Sequence, residues 1–232
     1  MPIPELPADV PVPREEEVTG QAIPFDRERW LAHLPDAAWW PVRLDTCPRV
    51  GRWPRVDRRT VLGMAEAAET VEGRRHLLVA ALVWGTGTKV RSVNRRGRIF
   101  EKPSVEQLDH RLGAVVIMLR EQGAVAAYEA CRGSLRTAHL GPAFFTKFLY
   151  FAGYHESAGP YRPLILDSVV SQALKHHEIV TANWPLNGWS TRQYAQYLDT
   201  VHRQAESAGA SPHRVEAAWF TSGRRLQRSR GT

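Results

Sequence analysis

Only two cysteines occur in the 232 residues, Cys47 and Cys131, 84 positions apart. Neither has a CxxC or CxxH neighbour, which excludes a disulfide framework and a cysteine-ligated cluster. Lysine is scarce too, at Lys89, Lys102, Lys147 and Lys175 alone. No apolar run approaches a membrane span; the best, Leu77 to Trp84, is about half of one. Proline and acid stand at the N-terminus where a signal peptide needs basic residues and then an apolar stretch. A cytosolic protein is the expectation.

Arginine is what the chain has in quantity. Counting 31 basic against 24 acidic residues gives +7, with a pI near 9.8. That excess favours a polyanionic partner, and nucleic acid comes first because no lipid signal accompanies it. One cluster runs Lys89, Arg91, Arg95, Arg96, Arg98, Lys102 among glycines, and a second, Arg224, Arg225, Arg228, Arg230, closes the chain. Guanidinium forks suit phosphate oxygens without reading sequence. Solvated surface charge is the competing reading of both clusters, and the favoured one for the tail.

Residues 1–24 hold six of the sixteen prolines and the run Glu15-Glu16-Glu17, which reads as an extended arm. Residues 25–54 are rich in Trp and broken by proline, fitting a short helix and irregular packing better than a sheet. Helical periodicity then takes over. Asp57 caps a helix through about Thr70, continued by Glu72 to Val83; Ser104 with Gln107 and Ser190 with Gln193 form capping boxes. Further helices cover about 124–132, 142–153, 166–177 and 212–220. The body, 25–226, is expected to be mainly α, with a basic tail at 227–232.

One segment concentrates the chemistry. Lys147 sits in the first two turns of an otherwise apolar helix that opens at Gly141-Pro142. Burying an ammonium is costly unless it is paired or gives up its proton, so this lysine either snorkels to the surface or serves as an uncharged amine nucleophile. Twenty residues on, Pro163-Leu164-Ile165-Leu166-Asp167 places a lone aspartate where a helix begins. A helix cap alone would explain it.

Together Lys147 and Asp167, with Thr146 before the lysine, resemble the helix-hairpin-helix DNA glycosylases, closest to the 8-oxoguanine DNA glycosylase fold. The resemblance runs over about residues 75 to 226. It implies that Lys147 attacks the deoxyribose C1′ while Asp167 assists and stabilises the sugar cation. It also implies a base pocket made by Glu216, Phe220 and Phe151, Glu216 reading the base edge and Phe220 stacking on its face. DNA contacts fall to Thr86, Lys89, Arg91, Arg95, Arg96, Arg98 and Gly141. The chain departs from the family pattern at Ala143 and Phe145, where the hairpin usually has glycines, at Val169 in place of a histidine, and at Glu216 in place of a glutamine.

The resulting expectation is a bacterial-type, mainly α helix-hairpin-helix glycosylase with an extended Pro/Trp-rich N-terminal arm. It would be monomeric, cytoplasmic and nucleoid-associated, without metal or cofactor, and would flip a damaged or modified base from duplex DNA. A Schiff base at Lys147 would permit strand nicking by β-elimination. Genome repair and defence against modified phage DNA are both open. The alternatives are a catalytically silent helix-hairpin-helix module that only binds DNA, and a protein-interaction domain using exposed tryptophans. The adjacent His176 and His177 point about 100° apart on a helix, so solvent-facing side chains are expected there rather than metal ligands.

Overall fold

The computed structural model describes residues 5–229. Its first part contains a helix the arm was not expected to have, α1 (Glu15–Thr19), whose three glutamates lie in the first turn, where the helix dipole favours them. Next come β1 (Ala22–Pro24), α2 (Arg27–Leu31), β2 (Arg49–Val50) and β3 (Trp53–Asp57). The strands form a small antiparallel sheet in the order β1-β3-β2, with Ile23 opposite Val56 and Val50 opposite Trp53. The short helix expected in residues 25–54 is α2; the strands at the end of that segment correct the expectation of irregular packing alone. Ladders of two or three pairs are too short to show alternation in sequence. The tryptophans do not form an exposed interaction surface: Trp30, Trp39 and Trp40 are buried.

The expected helix from Asp57 to Thr70 is also broken. Asp57 caps α3 (Arg58–Leu62), a single 3-10 turn follows at Ala65–Ala67, and Thr70 starts a new helix by accepting from the Gly73 N–H at 2.9 Å. That helix, α4 (Val71–Thr86), is central, and Leu77 to Trp84 are buried without interruption. A helix apolar on every face belongs in a core, which is where the longest hydrophobic run of the chain goes.

Around it lie α5 (Val90–Gly97), α6 (Val105–Gln122), α7 (Ala124–Arg132) and α8 (Pro142–Gly153). Then come α9 (Ser168–His176), α10 (Thr191–Ser207) and α11 (Pro212–Ser229). Both capping boxes form, at Ser104–Gln107 and Ser190–Gln193. Helix α8 packs on α4, α6 and α7, while α9 packs on α11 and α11 on α10.

Helix α11 does not stop at Phe220 but runs on to Ser229. The extension rests on α9: a Cβ at Gly223 would come within 2.1 Å of the Val169 carbonyl, so glycine alone allows this approach. Arg224, Arg225 and Arg228 are therefore helical, and the rest of the expected tail, 230–232, lies outside the described residues. His177 turns inward to Ser222 at 3.1 Å instead of facing solvent, because α11 covers that side of α9.

Candidate active site

Helix α8 carries Lys147 into the interior. Residues Phe145 to Gly153 are all buried, and Lys147 itself is 6% exposed. Its ammonium donates to the Ala143 carbonyl one turn earlier at 2.9 Å and to Asp167 Oδ2 at 3.2 Å. It also lies 5.2 Å from the Phe144 ring centre. Its aliphatic stem packs on Gly85 of α4, where a Cβ would sit 2.7 Å from the lysine Cδ. Snorkelling is excluded by this environment. The charge is instead paired, as a buried charge requires.

Asp167 uses its two oxygens separately. Oδ1 caps α9, accepting from the N–H groups of Val169 at 3.0 Å and Val170 at 3.2 Å. Oδ2 meets the lysine. The segment before it, Leu164 to Leu166, is buried and belongs to no helix or strand. Buried backbone groups need partners, and side-chain hydroxyls supply them. Tyr194 donates to the Leu164 carbonyl at 3.0 Å and Tyr197 to that of Ile165 at 2.7 Å. The Leu166 N–H donates to the Thr146 hydroxyl at 3.3 Å. Thr146, one residue before the lysine, thus ties α8 to the residue before the aspartate.

A second buried pair was not legible in sequence. Arg58 and Glu216, both 1% exposed, meet at 2.7 Å. The guanidinium lies 5.0 Å from the Trp84 ring centre and 5.1 Å from that of Tyr150, and it donates to Gln21 Oε1 at 2.9 Å. Burial raises the Glu216 carboxyl above its usual range, with Arg58 pulling the other way. The Tyr150 hydroxyl is 3.0 Å from His213 Nδ1, and His213 Nε2 is 2.6 Å from Glu15. Arg58 gave no sequence signal because Arg58-Arg59 reads as ordinary surface charge.

The three residues expected to form a base pocket do not line one cavity. Glu216 is held by Arg58. Phe220 is half-buried and lines a cavity of about 620 Å³ between α11 and the N-terminal arm, opposite Pro11, Val12, Pro13 and Gln21. Phe151 packs edge-on against Trp84 at 5.3 Å and borders a different cavity, of about 390 Å³, with His155 and His213.

The basic residues do gather. Arg95, Arg96, Arg98 and Gly141 line a cavity of about 590 Å³ together with Arg132 and Arg136, which sequence reasoning missed. Isolated arginines forty residues away carry no signal until folding brings them across. Among the described residues no acid pairs with Arg95, Arg132 or Arg136, and Arg98 is 3.7 Å from Glu101. Arg96 lies 4.0 Å from the Phe144 ring centre. Lys89 and Arg91, at the exposed start of α5, do not line this cavity. Thr86 turns its hydroxyl back to the Leu82 carbonyl at 2.6 Å at the end of α4. Among the described residues no group of three or more His, Cys, Asp or Glu is placed to hold a metal, and no helix is long and apolar enough to cross a membrane.

A mainly helical body whose hairpin of α7 and α8 sets a buried lysine against the aspartate capping the next helix defines a helix-hairpin-helix DNA glycosylase fold. The family model described as "Putative 8-oxoguanine DNA glycosylase OGG-like protein" matches residues 16–220, and the chain belongs to that family. Neither a curated protein nor a solved structure matches it significantly.

Proposed function

We propose that this protein removes a damaged or modified base from duplex DNA, with Lys147 as nucleophile and Asp167 as the assisting carboxylate. The observation that carries the reading is the 3.2 Å contact between a lysine amine and a carboxylate at a buried helix start. After its ammonium gives up a proton to water, the amine attacks the deoxyribose C1′. The C1′–N bond to the base breaks, and the base leaves with the electron pair and takes up a proton. Asp167 stays ionised beside the positive charge that develops on the sugar. The C1′–O4′ ring bond then breaks, O4′ takes the remaining proton of the lysine nitrogen, and the opened sugar holds Lys147 as an imine, which permits β-elimination and a strand nick.

The arginine cavity supports the DNA side of this reading. Phosphates at the exposed Gly141 end of α8 would meet unpaired guanidinium groups and the positive end of the helix dipole together. The protein would act as a monomer where chromosomal DNA lies, in the cytoplasm or nucleoid, with residues 25–226 as the catalytic body.

Borohydride tests the mechanism, because it reduces an imine to a stable amine. Wild-type protein with a duplex carrying an abasic site should give a covalent adduct at Lys147. Lys147→Ala should give none and excise nothing, yet still bind DNA. Excision at the wild-type rate by Lys147→Ala would overturn the assignment. Binding without adduct or turnover in the wild type marks a silent DNA-binding module.

A further inference from the structure

The proposed pocket leaves base reading without an agent, since Glu216 is engaged by Arg58. Gln21 stands at the other side of the Phe220 cavity, on the N-terminal arm. Its backbone is fixed at both groups: the N–H donates to the Val18 carbonyl at 3.2 Å, and the carbonyl accepts from Trp84 Nε1 at 3.1 Å. Its side-chain orientation is fixed by Arg58. A guanidinium only donates, so the amide atom 2.9 Å from Arg58 Nη2 has to be the oxygen. The other end of the amide is then the NH₂ group, which meets no acceptor among the described residues.

We propose that Gln21 is a specificity-determining residue of this pocket, its NH₂ donating to an acceptor oxygen at C6 of the extruded base while Phe220 stacks on the ring. The buried chain Glu216–Arg58–Gln21 holds that donor in one orientation. The ligand class follows from the lining. A half-buried aromatic ring, one oriented amide donor, and Arg224, Arg225 and Arg228 along α11 suit a nucleotide whose base edge offers an acceptor. Gly223, one turn beyond Phe220, touches Val169, two residues after Asp167. This inference rests on the glycosylase reading above.

The test compares duplexes carrying 8-oxoguanine or 8-oxoadenine, whose C6 substituents are an acceptor oxygen and a donor amine. Binding by competition and single-turnover excision are both measured, with borohydride trapping on an abasic duplex as a control that needs no base. Wild type should favour the 6-oxo base. Gln21→Leu should reduce that preference about tenfold or more, the range for one base-edge contact. Gln21→Glu, which lacks the donor, should reduce it at least as far. Trapping should change by less than about twofold in both variants. An equal loss on abasic and base-carrying duplexes would make Gln21 merely structural and overturn the proposal. So would an unchanged preference in Gln21→Leu, or a wild type that treats the two bases alike in both assays. If wild type forms no abasic adduct while the preference still depends on Gln21, the Lys147 mechanism fails and the Gln21 assignment stands.

Discussion

Asp167 faces Lys147 with one carboxyl oxygen, at 3.2 Å, and caps helix α9 with the other. The helix start and the proposed catalytic contact thus share one side chain held by two backbone N–H groups. The cap fixes the rotamer, so the carboxylate is already oriented when substrate arrives.

Asp167→Asn separates the two tasks. An amide oxygen caps about as well as a carboxylate, so helix α9 should keep its start, but the buried Lys147 ammonium loses its counter-charge, and stability should fall by up to about 3–5 kcal/mol with the fold retained. Base excision should fall by two or more orders of magnitude, the scale for losing a charge aimed at the transition state. Single-turnover rates and a melting curve on the same sample check this. A rate close to wild type would reduce Asp167 to a cap.

Neutralising two of Arg95, Arg98, Arg132 and Arg136 should flatten the slope of log affinity against log salt by about 0.9 for each phosphate that no longer meets a guanidinium. Damaged and intact duplexes should weaken alike, because phosphates carry no base information. An unchanged slope in a fluorescence-anisotropy titration would return these arginines to plain surface charge.

Arg58→Met leaves the Glu216 carboxylate buried without its guanidinium and should cost about 3–5 kcal/mol in urea unfolding. With the carboxyl then held above its unfolded value by burial, the contribution of this group to stability is fully present below the usual carboxylate range and is lost as pH rises through the raised value. The double variant Arg58→Met with Glu216→Met should recover most of the loss, since no charge is left behind. A double variant no more stable than the single one would show that Arg58 acts through Gln21 and Tyr150 instead.

Burial holds His213 down at about 4, against the pull of Glu15. Between its ordinary value and about 4, the unfolded chain binds a proton that the folded one refuses. Stability is therefore present above the ordinary value and lost as pH falls through that window, by up to about 3 kcal/mol. His213→Asn should flatten the dependence of the urea midpoint on pH between 7 and 4. An equally steep dependence in the variant would place the titration elsewhere.

Short-range interactions were written in the chain itself. The capping boxes at Ser104 and Ser190, the Gly141-Pro142 helix start and the span of α7 all form as the residues indicate, because each depends on groups within about four positions. The resemblance singled out Lys147 and Asp167 together, and the two side chains lie 3.2 Å apart. What folding alone decided lies between distant segments. Glu216 was expected at the base edge, but Arg58 comes to it from 158 positions earlier, and Gln21 comes to Arg58 from 37 away. Arg132 and Arg136 join Arg95 only where the loop before α8 meets the end of α5. Periodicity and caps specify which face of a helix is apolar; they carry no information about which charge on another element will be desolvated against it, and that depends on packing.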